Sequence, residues 1–184
     1  MAQHAPIPLQ HLFGYPTQDL PRFSPCGTYH TFVAPHQDKS TTLWLAGTND
    51  TAARQLLPAQ DDPLLEYSWA HTGKQILFRR DTTGSEHWHL YVLDLLSGGV
   101  TNVTPHKNTR VKTYSLSPQA PEKVFMVMNT RSPHLFDAHH YNLRTGEHRV
   151  LEYNDGTVLS WHADRQLHVR AKVVSQNGSS LLYT

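Results

Sequence analysis

Histidine is the residue type in this sequence most able to take part in catalysis or metal binding, because 14 of the 184 residues are histidines. Glu86 precedes His87 and His89, which in a strand point to the same side. His139 and His140 are predicted to occupy the corresponding place in the next structural repeat. Zinc needs three or four converging ligands, and the spacing indicates no third one. We therefore predict no metal and no cofactor, and expect these imidazoles to bond to backbone carbonyls.

Candidate nucleophiles are equally sparse. A serine nucleophile of the α/β-hydrolase type requires a Gly-x-Ser-x-Gly turn between a strand and a helix. The nearest approach is Gly-Ser-Ser-Leu-Leu at positions 178–182, which lacks the last glycine, so we predict that Ser180 is not a nucleophile. Cys26 is the single cysteine, cannot form an internal disulfide and has no basic neighbour in sequence, so we interpret it as structural. The sequence thus predicts no catalytic residue.

The charged residues nearly cancel, with 16 Lys and Arg against 15 Asp and Glu. Such a balance provides no net field to attract nucleic acid or an anionic membrane. The most basic stretch contains His106, Lys107, Arg110 and Lys112, and a block this short is typical of a solvated loop. We therefore expect neither nucleic acid nor a membrane as a partner.

Targeting signals are also not apparent in the sequence. No apolar stretch approaches the 18 residues that a membrane helix needs. Met1 to Gln10 has neither the basic region nor the apolar region of a secretory signal peptide. These features predict a cytoplasmic protein.

The elements that must position these residues form a repeat. A bulky residue followed by a polar turn occurs at Phe23, Trp69, Leu116 and Trp161, with spacings of 46, 47 and 45 residues. Runs rich in β-branched and aromatic residues follow each of these positions and are bounded by Gly, Pro, Asn and Asp, which indicates strands. The first such runs are Tyr29 to Ala34, Gln75 to Phe78, Val124 to Met128 and Leu167 to Ala171. The second are Leu43 to Ala46, Leu90 to Leu95, His140 to Leu143 and Leu181 to Tyr183. The third are Gln55 to Leu57, Asn102 to Thr104 and Arg149 to Leu151.

A four-stranded antiparallel unit with a period in the forties is typical of a β-propeller blade. We predict an all-β, partial β-propeller of about three and a half to four blades, at residues 20–58, 63–104, 111–152 and 158–184. A jelly roll or an immunoglobulin-like sandwich also has many short strands, but neither predicts a repeated turn at one phase. The last blade lacks an outer strand, so we expect an incomplete propeller. The alternatives are a four-bladed ring closed by an N-terminal strand, two half-rings assembled into one, and a truncated gene.

The tryptophans are predicted to pack rather than to bind a ligand. Trp69 and Trp161 occupy the same phase of their blades, where Phe23 and Leu116 stand in the others. We expect them between neighbouring blades. Trp44 and Trp88 lie in or near the next strand, and we expect packing there as well.

Several segments resemble one family. Pro21 to Gly27, Glu66 to Ala70 and above all Gly84 to Asp94 are similar to the start of the propeller of serine peptidases of the prolyl oligopeptidase family, in its acylaminoacyl-peptidase and dipeptidyl-peptidase-like branch. Asn129 to Asp137 and Asn142 to Glu147 resemble its third blade. The resemblance implies a propeller whose channel restricts peptide access to an α/β-hydrolase domain, where Ser, Asp and His cut the bond. No family catalytic residue maps onto this sequence.

This resemblance implies that the chain is an N-terminal propeller fragment of a serine peptidase, inactive by itself, whose partners are peptide substrates and a C-terminal hydrolase domain. A standalone propeller that binds a protein partner is the alternative. A lactonase or sugar-binding propeller would need a cluster of acidic metal ligands, which the sequence does not show. Open blade edges also predict self-association.

Overall fold

The computed structural model describes residues 17–35, 41–50, 52–58, 64–81, 84 and 87–184, without the side chain of Leu65. These residues form fifteen β-strands and no helix. The strands of the first two blades are β1 Asp19–Phe23, β2 Tyr29–Pro35, β3 Thr41–Gly47, β4 Ala53–Gln55, β5 Leu64–Trp69, β6 Gln75–Arg80, β7 His89–Asp94 and β8 Val100–Asn102. The strands of the last two are β9 Val111–Leu116, β10 Lys123–Ser132, β11 Leu135–Asn142, β12 His148–Glu152, β13 Val158–Ala163, β14 Val169–Gln176 and β15 Ser179–Tyr183.

The strands form four antiparallel sheets, each taken from one continuous stretch of chain. Blades 1, 2 and 3 are four-stranded meanders in the orders β1-β2-β3-β4, β5-β6-β7-β8 and β9-β10-β11-β12, and blade 4 has the three strands β13-β14-β15. This arrangement confirms the predicted all-β, partial propeller with antiparallel blades. Within the described residues no helix is long and apolar enough to cross a membrane.

The turn between the first and second strands of each blade explains the repeated sequence phase. In blades 1 and 2 this turn is closed by a hydrogen bond from the backbone N–H of a glycine to the carbonyl three residues earlier. The glycines, Gly27 and Gly73, adopt φ values of 72° and 69°. Glycine favours this left-handed conformation because it has no Cβ. In blade 4 the same place is taken by Leu167, at φ 65°, after Asp164. The prediction that a strand begins at Leu167 is therefore wrong, since β14 begins at Val169.

The turn between the third and fourth strands sets their register. Asp94 Oδ1 accepts bonds from the amides of Leu96 and Ser97, and Asn142 Oδ1 accepts the corresponding pair two and three residues later. These side chains close the turn early. The fourth strand β8 consequently begins two residues before its predicted position. Strand β4 also begins two residues earlier than predicted, and β11 begins at Leu135 rather than at His140.

The hydrophobic core lies mainly between consecutive blades. One cluster joins blades 1 and 2 through Leu43, Leu45, Tyr67, Ile76 and Phe78, among others. Two further clusters occupy the equivalent places between blades 2 and 3 and between blades 3 and 4. Each interior blade therefore buries both of its faces, because alternate residues of a strand point to opposite sides of the sheet.

Candidate functional site

The first strands of the blades border a shared space. We call β1, β5, β9 and β13 the leading strands. A cleft of about 550 Å³ lies among β1, β5 and β9, and a second of about 800 Å³ lies between β9 and β13 and their following turns. Residues of three leading strands line the first cleft together, so these strands face the axis of the propeller. The leading strands are therefore the wall past which a molecule on that axis would move.

A buried arginine connects two blades at this wall. Arg79 Nε lies 2.8 Å from Glu66 Oε1 within blade 2, and Arg79 Nη1 donates to the carbonyls of Val111 and Lys112 in blade 3, at 2.9 Å each. The Arg79 side chain is only 13% exposed. A guanidinium that forms an ion pair within one blade and donates to two carbonyls of the next fixes the distance between two leading strands.

Two tyrosines on the leading strands are protonated at neutral pH. Burial raises the pKa of Tyr114, which borders the first cleft, to about 12. Burial also raises the pKa of Tyr67, whose hydroxyl lies 3.0 Å from the Thr31 carbonyl of blade 1. Arg22 lies 5.7 Å from the centre of the Tyr67 ring. Both hydroxyls are therefore neutral and buried, and the hydroxyls that the wall exposes to a passing peptide are those of Thr113 and Ser115 at the second cleft.

The sequence did not single out Arg79, Glu66 or Tyr114. Strand alternation offered one signal, because Arg79 lies on the same face of β6 as Leu77, which packs between blades 2 and 3. The cleft also requires Arg22 from blade 1, 44 residues before Glu66. No local pattern indicates that these strands meet.

Most of the histidines predicted as candidates do not converge on one site in the structure. His89 Nδ1 lies 2.6 Å from the Thr104 carbonyl, and His140 Nε2 contacts the Leu167 carbonyl in blade 4. These contacts confirm the predicted bonding to backbone carbonyls, between blades in the case of His140. His87 is half-buried, and Glu86 lies outside the described residues. The described part of the chain contains no group of three or more His, Cys, Asp or Glu side chains placed to hold a metal ion.

The predicted equivalence of His139 and His140 with His87 and His89 is wrong. Asp94 and Asn142 close equivalent turns, so the strand positions can be counted back from them. His139 then corresponds to Tyr91, and it is fully buried facing blade 2. Its Nδ1 lies 3.0 Å from His148 Nε2. Burial, and next the nearby His148, lowers the pKa of His139 to about 4.

Neither candidate nucleophile lines either cleft. Ser180 is exposed on β15, where it pairs with Ser175 of β14. Cys26 is exposed in the first turn of blade 1, and its Sγ lies 3.4 Å from Ser24 Oγ. Hydrogen bonding to Ser24, and next to Thr28, lowers the pKa of the thiol to about 7. The sequence did not predict this shift, because the side chains responsible are neutral.

The tryptophans pack as predicted. Trp69 Nε1 donates to Thr31 Oγ1 of blade 1, and Trp161 Nε1 donates to the Phe136 carbonyl of blade 3, both at 2.9 Å. Trp44 packs on a small cluster of blade 1, and Trp88 is half-buried. The shared phase of Trp69 and Trp161 therefore marks the side chain that ties each blade to the preceding one.

Comparison with known proteins identifies related peptidases. Dipeptidyl aminopeptidase BIII from Pseudoxanthomonas mexicana is 30% identical over 154 residues, which are 83% of this chain and 22% of that protein. The chain spans about a quarter of the length of the curated relatives it matches. No protein-family model matches it.

Two solved structures share the fold. A structure from a study of two prolyl endopeptidases has a TM-score of 0.65 at 16% identity, over 90% of this chain and 29% of that one. Dipeptidyl peptidase 4 from Porphyromonas gingivalis also has a TM-score of 0.65, at 12% identity, over 89% of this chain and 30% of that one. At such low identity these two likenesses concern the fold alone.

Proposed function

We propose that this chain functions as the N-terminal propeller region of a peptidase of the prolyl oligopeptidase family. In this proposal it supplies part of a propeller that restricts which peptides reach an α/β-hydrolase active site, and that site lies outside these 184 residues. The sequence relationship over 83% of the chain is the observation that carries the proposal.

The wall of the leading strands supports a gating role. It exposes the hydroxyls of Thr113 and Ser115, and its carboxylates, on Glu66 and Asp164, are already paired with arginines, so it can bond weakly to many peptide backbones without selecting one side chain. Arg79 keeps the leading strands of blades 2 and 3 at a fixed separation. A wall of fixed spacing excludes solutes by size, because folded chains are wider than extended ones.

The absence of activity in the isolated chain is the first test. We expect the purified 184-residue chain to hydrolyse no peptide, and we expect its reading frame to continue into a segment with a Gly-x-Ser-x-Gly turn. Hydrolysis by this chain alone that a serine-directed inhibitor abolishes would contradict the proposal. A stop codon after Thr184 followed by unrelated sequence would favour the standalone binding scaffold instead.

Gating requires a test in the complete enzyme. Thr113 is exposed on the second cleft, so Thr113→Trp narrows the space between β9 and β13. We expect kcat/KM for a thirty-residue peptide to fall by at least about tenfold, while kcat/KM for a dipeptidyl chromogenic substrate changes by less than about twofold, because only the longer solute is limited by width. Thr101→Trp, on the exposed outer strand β8, is the matched control. Equal losses for both substrates would exclude gating at this wall.

A further inference from the structure

A third cleft, of about 680 Å³, lies at the joint between blades 2 and 3. It is bordered by the segment connecting these blades and by the turn between β10 and β11. We propose that this cleft binds a carboxylate of a peptide next to an apolar side chain. The choice of a peptide rests on the proposed function, whereas the anionic and apolar character of the ligand follows from the lining residues alone.

The two walls of the cleft are held in place by one buried side chain. Asn129 Oδ1 accepts the backbone N–H of Arg110, and the Asn129 side-chain amide donates to the Pro133 carbonyl at 3.0 Å. The backbone N–H of the next residue, Val111, donates to the Trp88 carbonyl at 2.9 Å. The backbone of Arg110 is therefore fixed on both sides before any ligand arrives, so binding requires no ordering of this backbone.

Within the described lining of the cleft, Arg110 is the one permanently charged residue. The Arg110 side chain is exposed and its guanidinium has no partner within the described residues, and His87 and His134 lie on the same cleft. None of the described lining residues is acidic. The buried carboxylate of Asp137, which follows the lining residue Phe136, already accepts two bonds from Arg131, at 2.7 and 2.8 Å. The uncommitted charge at this site is thus that of Arg110.

The lining also has an apolar part. Phe136 borders the cleft, and Lys112 Nζ lies 5.6 Å from the centre of its ring while donating to the Leu159 carbonyl at 3.3 Å. Phe136 is therefore packed against a cation on a side chain that is itself anchored. A guanidinium binds a carboxylate through two parallel hydrogen bonds, and an aromatic ring beside it favours an apolar group on the ligand. A peptide carboxylate flanked by a large apolar residue satisfies both.

Calorimetric titration of the 184-residue chain tests the site directly. The probes are N-acetylated Ala-Ala-Ala-Phe as the free acid, the same peptide as the C-terminal amide, and acetylated Ala-Glu-Ala-Phe amide, which carries its carboxylate on a side chain. We expect the free acid to bind at least about tenfold more tightly than the neutral amide, because charge-assisted bonds to Arg110 are lost. The glutamate peptide shows whether a side-chain carboxylate serves equally, and both sources are consistent with the site.

Two variants and one control assign the effect to Arg110. Arg110→Gln removes the preference for the free acid, and Arg110→Lys, which keeps the charge but not the paired geometry, retains part of it. Arg149→Gln, an exposed arginine on the outer strand β12, leaves both affinities unchanged. Circular dichroism confirms that each variant is folded. If Arg110→Gln does not fold, Arg110→Lys alone decides, since an unchanged preference in that variant contradicts the site.

Three results overturn the proposal: equal affinity for acid and amide, a preference that survives Arg110→Gln, or inorganic phosphate that binds as tightly as the free acid and displaces it. The last result identifies a site for small anions without a peptide component. No cleavage is measured in this experiment, so its failure is distinguishable from failure of the proposed peptidase role, which the hydrolysis assays decide.

Discussion

The joint between blades 2 and 3 and the outer face of blade 4 are built from similar strands and have opposite environments. At the joint, Leu77, Leu90 and Met126 are completely buried. On blade 4, Val173 and Leu182 form a register pair on the face that points away from blade 3, and Leu182 is 65% exposed. Strands in both places contain adjacent apolar residues, as at 76–78 in β6 and 181–182 in β15.

This difference shows that a single blade does not bury its own apolar residues. A blade presents two partly apolar faces, and each face is removed from water only when another blade covers it. Arg79 also belongs to the joint, because it donates to a carbonyl of blade 3. His139 bonds to His148 of its own blade, and the His148 ring lies 6.5 Å from that of His106 in the segment that connects the two blades. The joint therefore contains the groups whose removal has the greatest consequence.

Truncation of a core side chain tests the contrast most strongly. Met126→Ala leaves a cavity between two blades, so we expect the free energy of unfolding to fall by about 2–5 kcal/mol. Leu182→Ala removes an exposed side chain and is expected to change it by less than about 0.5 kcal/mol. Equilibrium urea unfolding measures both, and similar losses for the two variants would contradict the contrast.

Removal of the connecting arginine gives the next largest effect. Arg79→Met deletes the bonds to two carbonyls of blade 3, and we expect a loss of about 1.5–3 kcal/mol, because hydrogen bonds from a charged donor are lost in a largely buried setting. Arg144→Met deletes an exposed pair with Glu122 and is expected to cost less than about 0.5 kcal/mol. Urea unfolding again provides the measurement. An Arg79 variant as stable as the Arg144 control would show that this crosslink is dispensable.

The buried histidine makes the joint sensitive to acid. The pKa of His139 is about 4 in the folded chain and about 6.5 when unfolded, so the unfolded state binds the proton first and stability is lost as pH falls below about 6.5. Between pH 7 and pH 5 this residue is expected to cost about 2 kcal/mol. Urea unfolding at the two pH values measures the loss. We expect the free energy of unfolding of His139→Gln to fall less between pH 7 and pH 5 than that of the wild type, by about this amount. His140 and His148, whose pKa values burial also lowers, remain in the variant and account for a residual slope.

The matched control for that experiment is His162→Gln, which removes an exposed histidine of blade 4. We expect the wild-type pH dependence in this variant. A His139 variant that retains the full wild-type slope would place the acid sensitivity elsewhere.

The outer face of blade 4 contributes little to stability, and we propose that it contributes to self-association. Leu182→Glu puts a charge on the exposed pair with Val173, so we expect a smaller sedimentation coefficient at micromolar concentration than for the wild type. Leu96→Glu, at an exposed turn of blade 2, is expected to leave self-association unchanged. A monodisperse wild-type monomer would contradict this proposal.

Much of the blade architecture was predictable because it depends on local patterns. The repeated turn with Gly27 and Gly73 requires a left-handed residue, and the alternating runs after it indicate strands. Strand ends were less predictable. Asp94 and Asn142 close their turns through side-chain bonds, so the strands after them begin earlier than predicted. Leu167 takes the left-handed position of its turn, so β14 begins later than predicted.

The candidate site was less predictable than the fold. Tryptophan at a constant phase correctly indicated packing between blades, since Trp69 and Trp161 recur in the sequence itself. The Arg79 crosslink has no such signal, because its acceptors are backbone carbonyls of residues 32 and 33 positions later. Backbone groups look alike in every sequence. Sequence alone therefore identified neither the cleft at the leading strands nor the one beside Arg110.

The sequence by itself determined the repeat, the turn chemistry and the alternation of each strand, since these depend on neighbours a few residues apart. Only the tertiary structure decided which faces are buried, which histidine has a lowered pKa and which arginine joins two blades. Those properties depend on desolvation and on charges that approach across the gap between sheets. His139 and His140 illustrate the division: adjacent in sequence, they face opposite blades, with one fully buried and the other bonded to the carbonyl of Leu167.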